Sequence, residues 1–446
     1  MSVIQMVSAK DVPASFYEPR VFSDELTGGN VTSVVSDILT QVRQNGDAAL
    51  FQLSAKFDKC ELDSLQISAE DLLDAEQSLK NENPDLYNAL CRSRDLAFKF
   101  ARSQRKSFDD FEEELEPGLF TGQRNIPVER AGLYVPAGRF PLLSSVIMTS
   151  QPALAAGCDD VILCTPPRKH PDGSNKPYAD KGIMAAASIC GVKRVFACGG
   201  SQAIGAMAYG TETIPRCDVI VGPGNKFVTE AKRLVYGTVG IDMLAGPSEV
   251  LIISDGSGKA EWVAADMLAQ AEHDVDAQAV LVTPNVEFAE KVIKAIEEQL
   301  AVLDTSATAK ESLSRSGKII ITESLDEGVQ IANCKAPEHL ELALDEGPEL
   351  DRLSIAVRNY GSLFLGHGAA EVLGDYAAGL NHTLPTSMSA RFTGGLSVRC
   401  FLKTVTTLRT EQGAKGQQDS AFAASVMGEA EGLVAHAQAA KFRLEK

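Results

Sequence analysis

The sequence predicts an α/β fold of two Rossmann-like, doubly wound domains, with small helical additions at the N- and C-terminal ends. Three observations carry that reading. From Val128 to about Thr322, short β-branched apolar runs alternate with amphipathic stretches of helical length, the pattern of parallel strands covered by helices. Each helical stretch is long enough to serve as the crossover that parallel strands require. At 446 residues the chain exceeds what one core normally holds, so two large domains and smaller terminal pieces are expected.

Taken in chain order, the first elements are helical: Val31–Asn45 and Ala69–Leu79 carry amphipathic patterns, and such patterns dominate as far as Val128. Strands are then expected at Asp160–Cys164, Arg194–Cys198, Asp218–Val221, Val250–Ser254, Ala279–Thr283 and Lys318–Thr322. Helices are expected at Lys181–Cys190, Ser201–Tyr209, Lys226–Tyr236, Ala260–His273 and Val286–Leu300. Thr165–Lys176 reads as a polar, proline-rich loop, and Thr404–Asp419 as a polar stretch poor in strand pattern. The alanine-rich run from Phe422 to Arg443 reads as helix.

Composition narrows the function. With 60 acidic against 42 basic side chains the formal net charge is -18, which repels phosphate backbones and excludes nucleic acid as a partner. No run approaches the roughly eighteen apolar residues of a membrane span. Met1–Arg20 has neither a basic start nor an apolar core, so a cytoplasmic protein is expected. Nine scattered cysteines without a CxxC pair read as reduced thiols, and Cys164 and Cys198 as core residues within apolar strands.

Six histidines frame the possible chemistry: His170, His273, His339, His367, His382 and His436. His170 sits in the polar loop and His367 follows a strand, so both read as surface or turn residues. Gln270 and His273 are three apart and share one helix face, where both can reach one ion; the same spacing also fits a solvated polar face. Glutamine is an unusual zinc ligand. In Ala336–Leu342, proline followed by Glu338 and His339 has the form of a helix start. That alone explains it, yet a helix N-terminus also keeps an imidazole neutral and suits it to act as a base beside a carboxylate. Asp375 and His436 add two further metal-compatible side chains. The turn Gly222-Pro223-Gly224-Asn225 leads a strand into a helix and offers backbone N–H groups to an anion, a weaker dinucleotide signal than GxGxxG.

Together these motifs resemble the histidinol dehydrogenase family from about Val31 to Arg443. The strings that carry the likeness are GLYVPAGRFPLLSSVIM (132–148), GGSQAIGAMAYGTETIP (199–215), VGPGNKFVTEAKR (221–233), IDMLAGPSEVLI (241–252), LAQAEHD (268–274), APEHLEL (336–342), GDYAAGLNHTLPT (374–386) and EGLVAHA (431–437). The resemblance implies one zinc ion per subunit on Gln270, His273, Asp375 and His436, the last from the partner of a homodimer with shared active sites. It implies Glu338 and His339 as the catalytic pair, substrate contacts at Ser248, Gln270, His273, Glu338, His339, Asp375, Glu431 and His436, and NAD contacts at Tyr134, Gln202 and Asn225. The implied reaction is the four-electron oxidation of L-histidinol to L-histidine through L-histidinal, with two NAD reduced. The domains expected are residues 1–30 as an N-terminal helical arm, 31–128 with 250–378 as a discontinuous first α/β domain, 129–249 as a second Rossmann-like domain, and 379–446 as a C-terminal dimerisation segment.

Two departures leave alternatives. Ala137 stands where a second glycine is usual, and Ala390–Lys403 has a GGLS form shared in part with sulfopropanediol dehydrogenases. A sulfonated substrate needs a cation, for which Arg139, Arg391 and Arg399 are the candidates. A non-catalytic relative that kept only the metal site is the third reading, opposed by the intact Glu338–His339 pair.

Overall fold

The computed structural model describes residues 3–19, 30–137 and 141–444. Two parallel sheets form its body. The first has six strands in the spatial order Gln5–Ser8, Lys318–Ile321, Gln278–Thr283, Glu249–Ser254, His339–Ala343 and Ser362–Leu365, all parallel. The second runs Arg194–Ala197, Asp160–Thr165, Arg130–Tyr134, Val219–Val221 and Gly240–Ile241, again all parallel. Helices cover both faces of each sheet, so Glu249–Ser254 and Gln278–Thr283 are buried at every position. That is why such strands appear in the sequence as unbroken apolar runs rather than alternating ones. The winding direction reverses at Arg130–Tyr134, which leaves a crevice at the carboxyl ends of this strand and of Val219–Val221.

Most expected elements lie within a residue or two of their sequence positions. The domain division does not. Residues 31–105 pack on the second sheet, not the first: Val35, Ile38, Leu39 and Val42 of the helix Val31–Leu53 meet Ala203, Ile204 and Met207 of the helix Gly200–Tyr209. On the opposite face, the helices Ala69–Glu82 and Pro84–Arg105 join Leu143–Ala156 and Lys181–Ile189. The N-terminal arm is not purely helical either, because Gln5–Ser8 adds an edge strand to the first sheet before two short 3-10 turns at Ala9–Asp11 and Ala14–Tyr17. Residues 20–29 of that arm lie outside the described residues.

A third, antiparallel sheet was not foreseen. It runs Leu402–Thr410, Leu119–Pro127 and Phe111–Glu116, with the helices Lys415–Ala430 and Val434–Lys441 packed together beside it. Phe111–Glu116 is exposed at every position and Leu402–Thr410 at most of them, so neither carries the buried alternation that marks a strand. The polar stretch Thr404–Asp419, poor in strand pattern, thus begins within the strand Leu402–Thr410. No helix among the described residues is long and apolar enough to cross a membrane.

Candidate active site

One cavity opens between the amino ends of the central strands of the first sheet and the carboxyl side of the second. Ser248, Gln270, His273, Glu338, His339 and Asp375 line it from the first side, and Ser144, Pro223 and Gly224 from the second. Six of the expected site residues, from four separate stretches of the sequence, therefore line this one cavity.

Glu338 and His339, the expected catalytic pair, reach the cavity by a different local structure from the one expected. The helix Leu325–Lys335 ends at Ala336, which has φ +50, and Pro337 leads directly into the strand His339–Ala343. APEHLEL is thus a helix exit and a strand entry, and no helix begins at Glu338–His339. The proline and acidic residue that resembled a helix start instead follow one. Glu338 Oε2 accepts a hydrogen bond from the Glu249 N–H at 2.9 Å. His339 Nδ1 lies 3.3 Å from the Glu249 carbonyl, and Nε2 lies 3.3 Å from Asp375 Oδ1. Glu371 Oε2 approaches the same imidazole at 3.7 Å.

Burial shapes the titration of both groups. It raises the Glu338 carboxyl to about 8, against the opposing pull of His339. For His339 burial disfavours the charged ring, but the carboxylates of Glu338, Asp375 and Glu371 outweigh it and push the imidazole up to about 10. The surroundings therefore favour imidazolium, the reverse of the neutral ring expected at a helix start. Asp375 is held below the usual carboxylate range: burial opposes this, but His339, with His382 and His273 beyond it, prevails.

Gln270 and His273 were expected on one helix, but that helix ends at Ala271 and His273 follows it. Both still line the cavity with Asp375. Gln270 is 1% exposed, and its Nε2 has no hydrogen-bond partner among the described residues. In a cavity that an imidazole and a carboxylate also line, the amide oxygen of Gln270 is the atom that could serve a cation. Among the described residues no three His, Cys, Asp or Glu side chains gather as a metal cluster. Glu431 and His436 are exposed and take no part in lining this protomer's cavity.

The residues expected to contact NAD surround the crevice of the second sheet. Tyr134 is buried at the end of its strand, and its hydroxyl accepts a hydrogen bond from the Gly200 N–H at 3.0 Å. Gln202 is buried in the helix Gly200–Tyr209. Asn225 caps the next helix, its Oδ1 accepting from the N–H groups of Phe227 and Val228 at 3.0 and 3.2 Å. The intervening turn is tightly held. Gly222, at φ +121, donates its N–H to Asp242 Oδ2 at 2.8 Å, and its carbonyl accepts from Lys232 Nζ at 3.0 Å. Lys232 and Asp242 pair with each other, both buried.

Sequence reasoning gave no role to several residues around the cavity. His382 lines it and lies 3.1 Å from Ser144 Oγ, with burial holding its imidazole below the usual range. Glu249 and Glu371 support His339 from behind. A charged residue opening an otherwise apolar strand, as in Glu249-Val-Leu-Ile-Ile, is the signal that marks the first of them. Of the arginines considered for a sulfonate, the two that lie among the described residues, Arg391 and Arg399, do not line the cavity. Arg391 donates to the carbonyls of Asn333 and Cys334, Arg399 is in a 3-10 turn, and Arg139 lies outside the described residues. No Arg or Lys is among the described residues lining the cavity.

Comparison with known proteins agrees with this geometry. The family model described as histidinol dehydrogenase matches residues 23–444. The chain is 44% identical to the histidinol dehydrogenase of Aromatoleum aromaticum over 93% of this chain and 91% of that protein. It is 43% identical to that of Bacillus cereus, over 92% of each. The crystal structure of histidinol dehydrogenase from Elizabethkingia anophelis, 34% identical, superposes with a TM-score of 0.89 and covers 99% of this chain and 98% of that one.

Proposed function

The chain belongs to the histidinol dehydrogenase family, and from that premise we propose that it catalyses the NAD-dependent four-electron oxidation of L-histidinol to L-histidine through L-histidinal, closing histidine biosynthesis. The observation that carries this reading is the convergence of Glu338 and His339 with Gln270, His273 and Asp375 on one cavity.

Each residue has a task suited to its surroundings. In its neutral form His339 takes the hydroxyl proton as the alcohol is oxidised, and the carboxylates of Glu338, Asp375 and Glu371, which favour imidazolium, stabilise the protonated ring that results. Its Nδ1 faces the Glu249 carbonyl, which leaves Nε2 as the nitrogen on the Asp375 side. Glu338 activates the water that hydrates the aldehyde, and its raised carboxyl pKa of about 8 places proton transfer near neutral pH. Ser248 and Glu431 contact the substrate. Tyr134, Gln202 and Asn225 hold NAD at the crevice, and NAD supplies the hydride acceptor for both oxidations.

Gln270, His273 and Asp375, with His436 of the partner subunit, would hold one zinc ion per subunit. The bound ion supplies a Lewis-acidic centre that orients the substrate's amine and imidazole. Exposure of Glu431 and His436 supports a shared site in a homodimer. So does the apolar surface of the same helix pair, where Phe422, Met427, Val434 and Phe442 are all exposed. All nine cysteines are unpaired, which suits the cytoplasm.

The test is NADH absorbance with L-histidinol and, in parallel, with dihydroxypropanesulfonate. Turnover of histidinol alone is expected. Turnover of the sulfonate alone would move the chain to the sulfopropanediol reading, against the absence of Arg or Lys from the described cavity lining. Silence with both would mark a non-catalytic relative.

A further inference from the structure

Glu249 is 1% exposed and connects to the catalytic pair in two ways through its main chain. Its N–H holds Glu338 Oε2 at 2.9 Å, and its carbonyl lies 3.3 Å from His339 Nδ1. Its carboxylate accepts from Lys335 Nζ at 3.2 Å, while Glu249 Oε2 has no hydrogen-bond partner among the described residues. Lys335 is itself 2% exposed and lies over the Phe16 ring, 5.4 Å from its centroid. It is the last residue of its helix, followed by Ala336 at φ +50 and then by Pro337 and Glu338.

Stability does not explain this arrangement. A buried ion pair is often replaceable by packed apolar groups without loss, because desolvation offsets its attraction. An alanine in the left-handed region is strained and persists only where its surroundings impose it. Both features occupy the short connection that delivers Glu338 and His339 to the cavity, and the ion pair ties one end of it to the strand that holds both side chains.

We propose that Lys335 and Glu249 are positioning residues: their ion pair pins the Ala336 turn to the strand Glu249–Ser254, which keeps Glu338 and His339 in register with the main-chain groups of Glu249. Neither side chain lines the cavity. The inference rests on the assignment of Glu338 and His339 as the working pair.

The test compares Lys335→Met, Glu249→Gln and the double variant Lys335→Met/Glu249→Leu in the full-length enzyme, well below the unfolding temperature. Steady-state kinetics are run with L-histidinol and L-histidinal. Misplacement of a catalytic group by about 1 Å costs on the order of a hundredfold. Lys335→Met is therefore expected to lower kcat about ten- to a hundredfold, with KM for either substrate within about twofold. The double variant carries no unpaired buried charge and guards against loss of folding. Its melting temperature is expected at or near that of the wild type, with kcat still reduced. A purely structural pair gives the opposite result, stability and kcat restored together, and that outcome overturns the proposal. Glu338→Gln runs alongside. An active wild type, a Glu338→Gln that has lost turnover of L-histidinal and fully active pair variants reject the positioning role alone. An inactive wild type rejects the functional assignment and the positioning role with it.

Discussion

Replacing Gly222 by alanine should impair NAD binding far more than it impairs folding. A Cβ at this position overlaps the Tyr134 carbonyl oxygen and lies 3.1 Å from the Tyr134 carbonyl carbon and 3.2 Å from its nitrogen. These are backbone atoms of a central strand and cannot rotate aside. The residue also sits at φ +121, where an L side chain is strained. Strain of about 1–3 kcal/mol and overpacking of about 1–3 kcal/mol together make a cost of roughly 2–6 kcal/mol. Relief requires the turn to move off the strand, which stretches the Gly222 bonds to Asp242 and Lys232 and shifts Asn225. Each ~1.4 kcal/mol that passes into binding weakens it tenfold. The expected result is a KM for NAD raised at least about tenfold, with KM for L-histidinol little changed. Gly173→Ala is the control: it also has positive φ, at +80, but no atom lies within 4 Å of its Cβ. That variant should show only backbone strain, about 1–3 kcal/mol in stability, and a wild-type KM for NAD. An unaltered NAD affinity in Gly222→Ala would refute the placement of the dinucleotide at this turn.

Three further outcomes follow. Lys232→Met leaves Asp242 buried and uncompensated, so urea denaturation should show a loss of about 3–5 kcal/mol; a change under about 1 kcal/mol would show that the pair does not brace the turn. Supplied with L-histidinal, Glu338→Gln should lose about 10²- to 10⁴-fold in kcat while retaining more of the alcohol step, whereas His339→Asn should lose both; equal retention of both steps by both variants removes their assigned roles. Mixing inactive His273→Asn subunits with inactive His436→Ala subunits should recover part of the wild-type activity, because a mixed dimer rebuilds one whole site. No recovery after subunit exchange, with dimers confirmed by light scattering, would place His436 outside the shared site.

The parallel body was legible because its strands are buried on both faces, so each appears as an apolar run bounded by turn residues. Assignment of the helices within 31–105 to the wrong sheet has a simple cause. An amphipathic stripe shows that a helix has a buried face, but not which sheet it covers, and only the fit of Leu39 and Val42 against Ala203 and Met207 settles that. The antiparallel sheet was missed because its strands bury little. At the site, the three-residue spacing of Gln270 and His273 fitted a solvated face as well as a ligand pair, and only the resemblance chose between them; their helix ends between the two. The helix start expected at Pro337–His339 is overturned, because a proline after a left-handed Ala336 has the same local appearance as a proline opening a helix; the roles expected of Glu338 and His339 came from the resemblance instead. Glu249 escaped notice because its contribution is made by main-chain atoms, which no side-chain pattern reveals.

The most direct measurement is the amount of NADH formed from a limiting quantity of L-histidinol run to completion with excess NAD. Two NADH per histidinol, with L-histidine as the sole product, is the result expected of one cavity carrying out both oxidations. One NADH with accumulated aldehyde, or none at all, would contradict it.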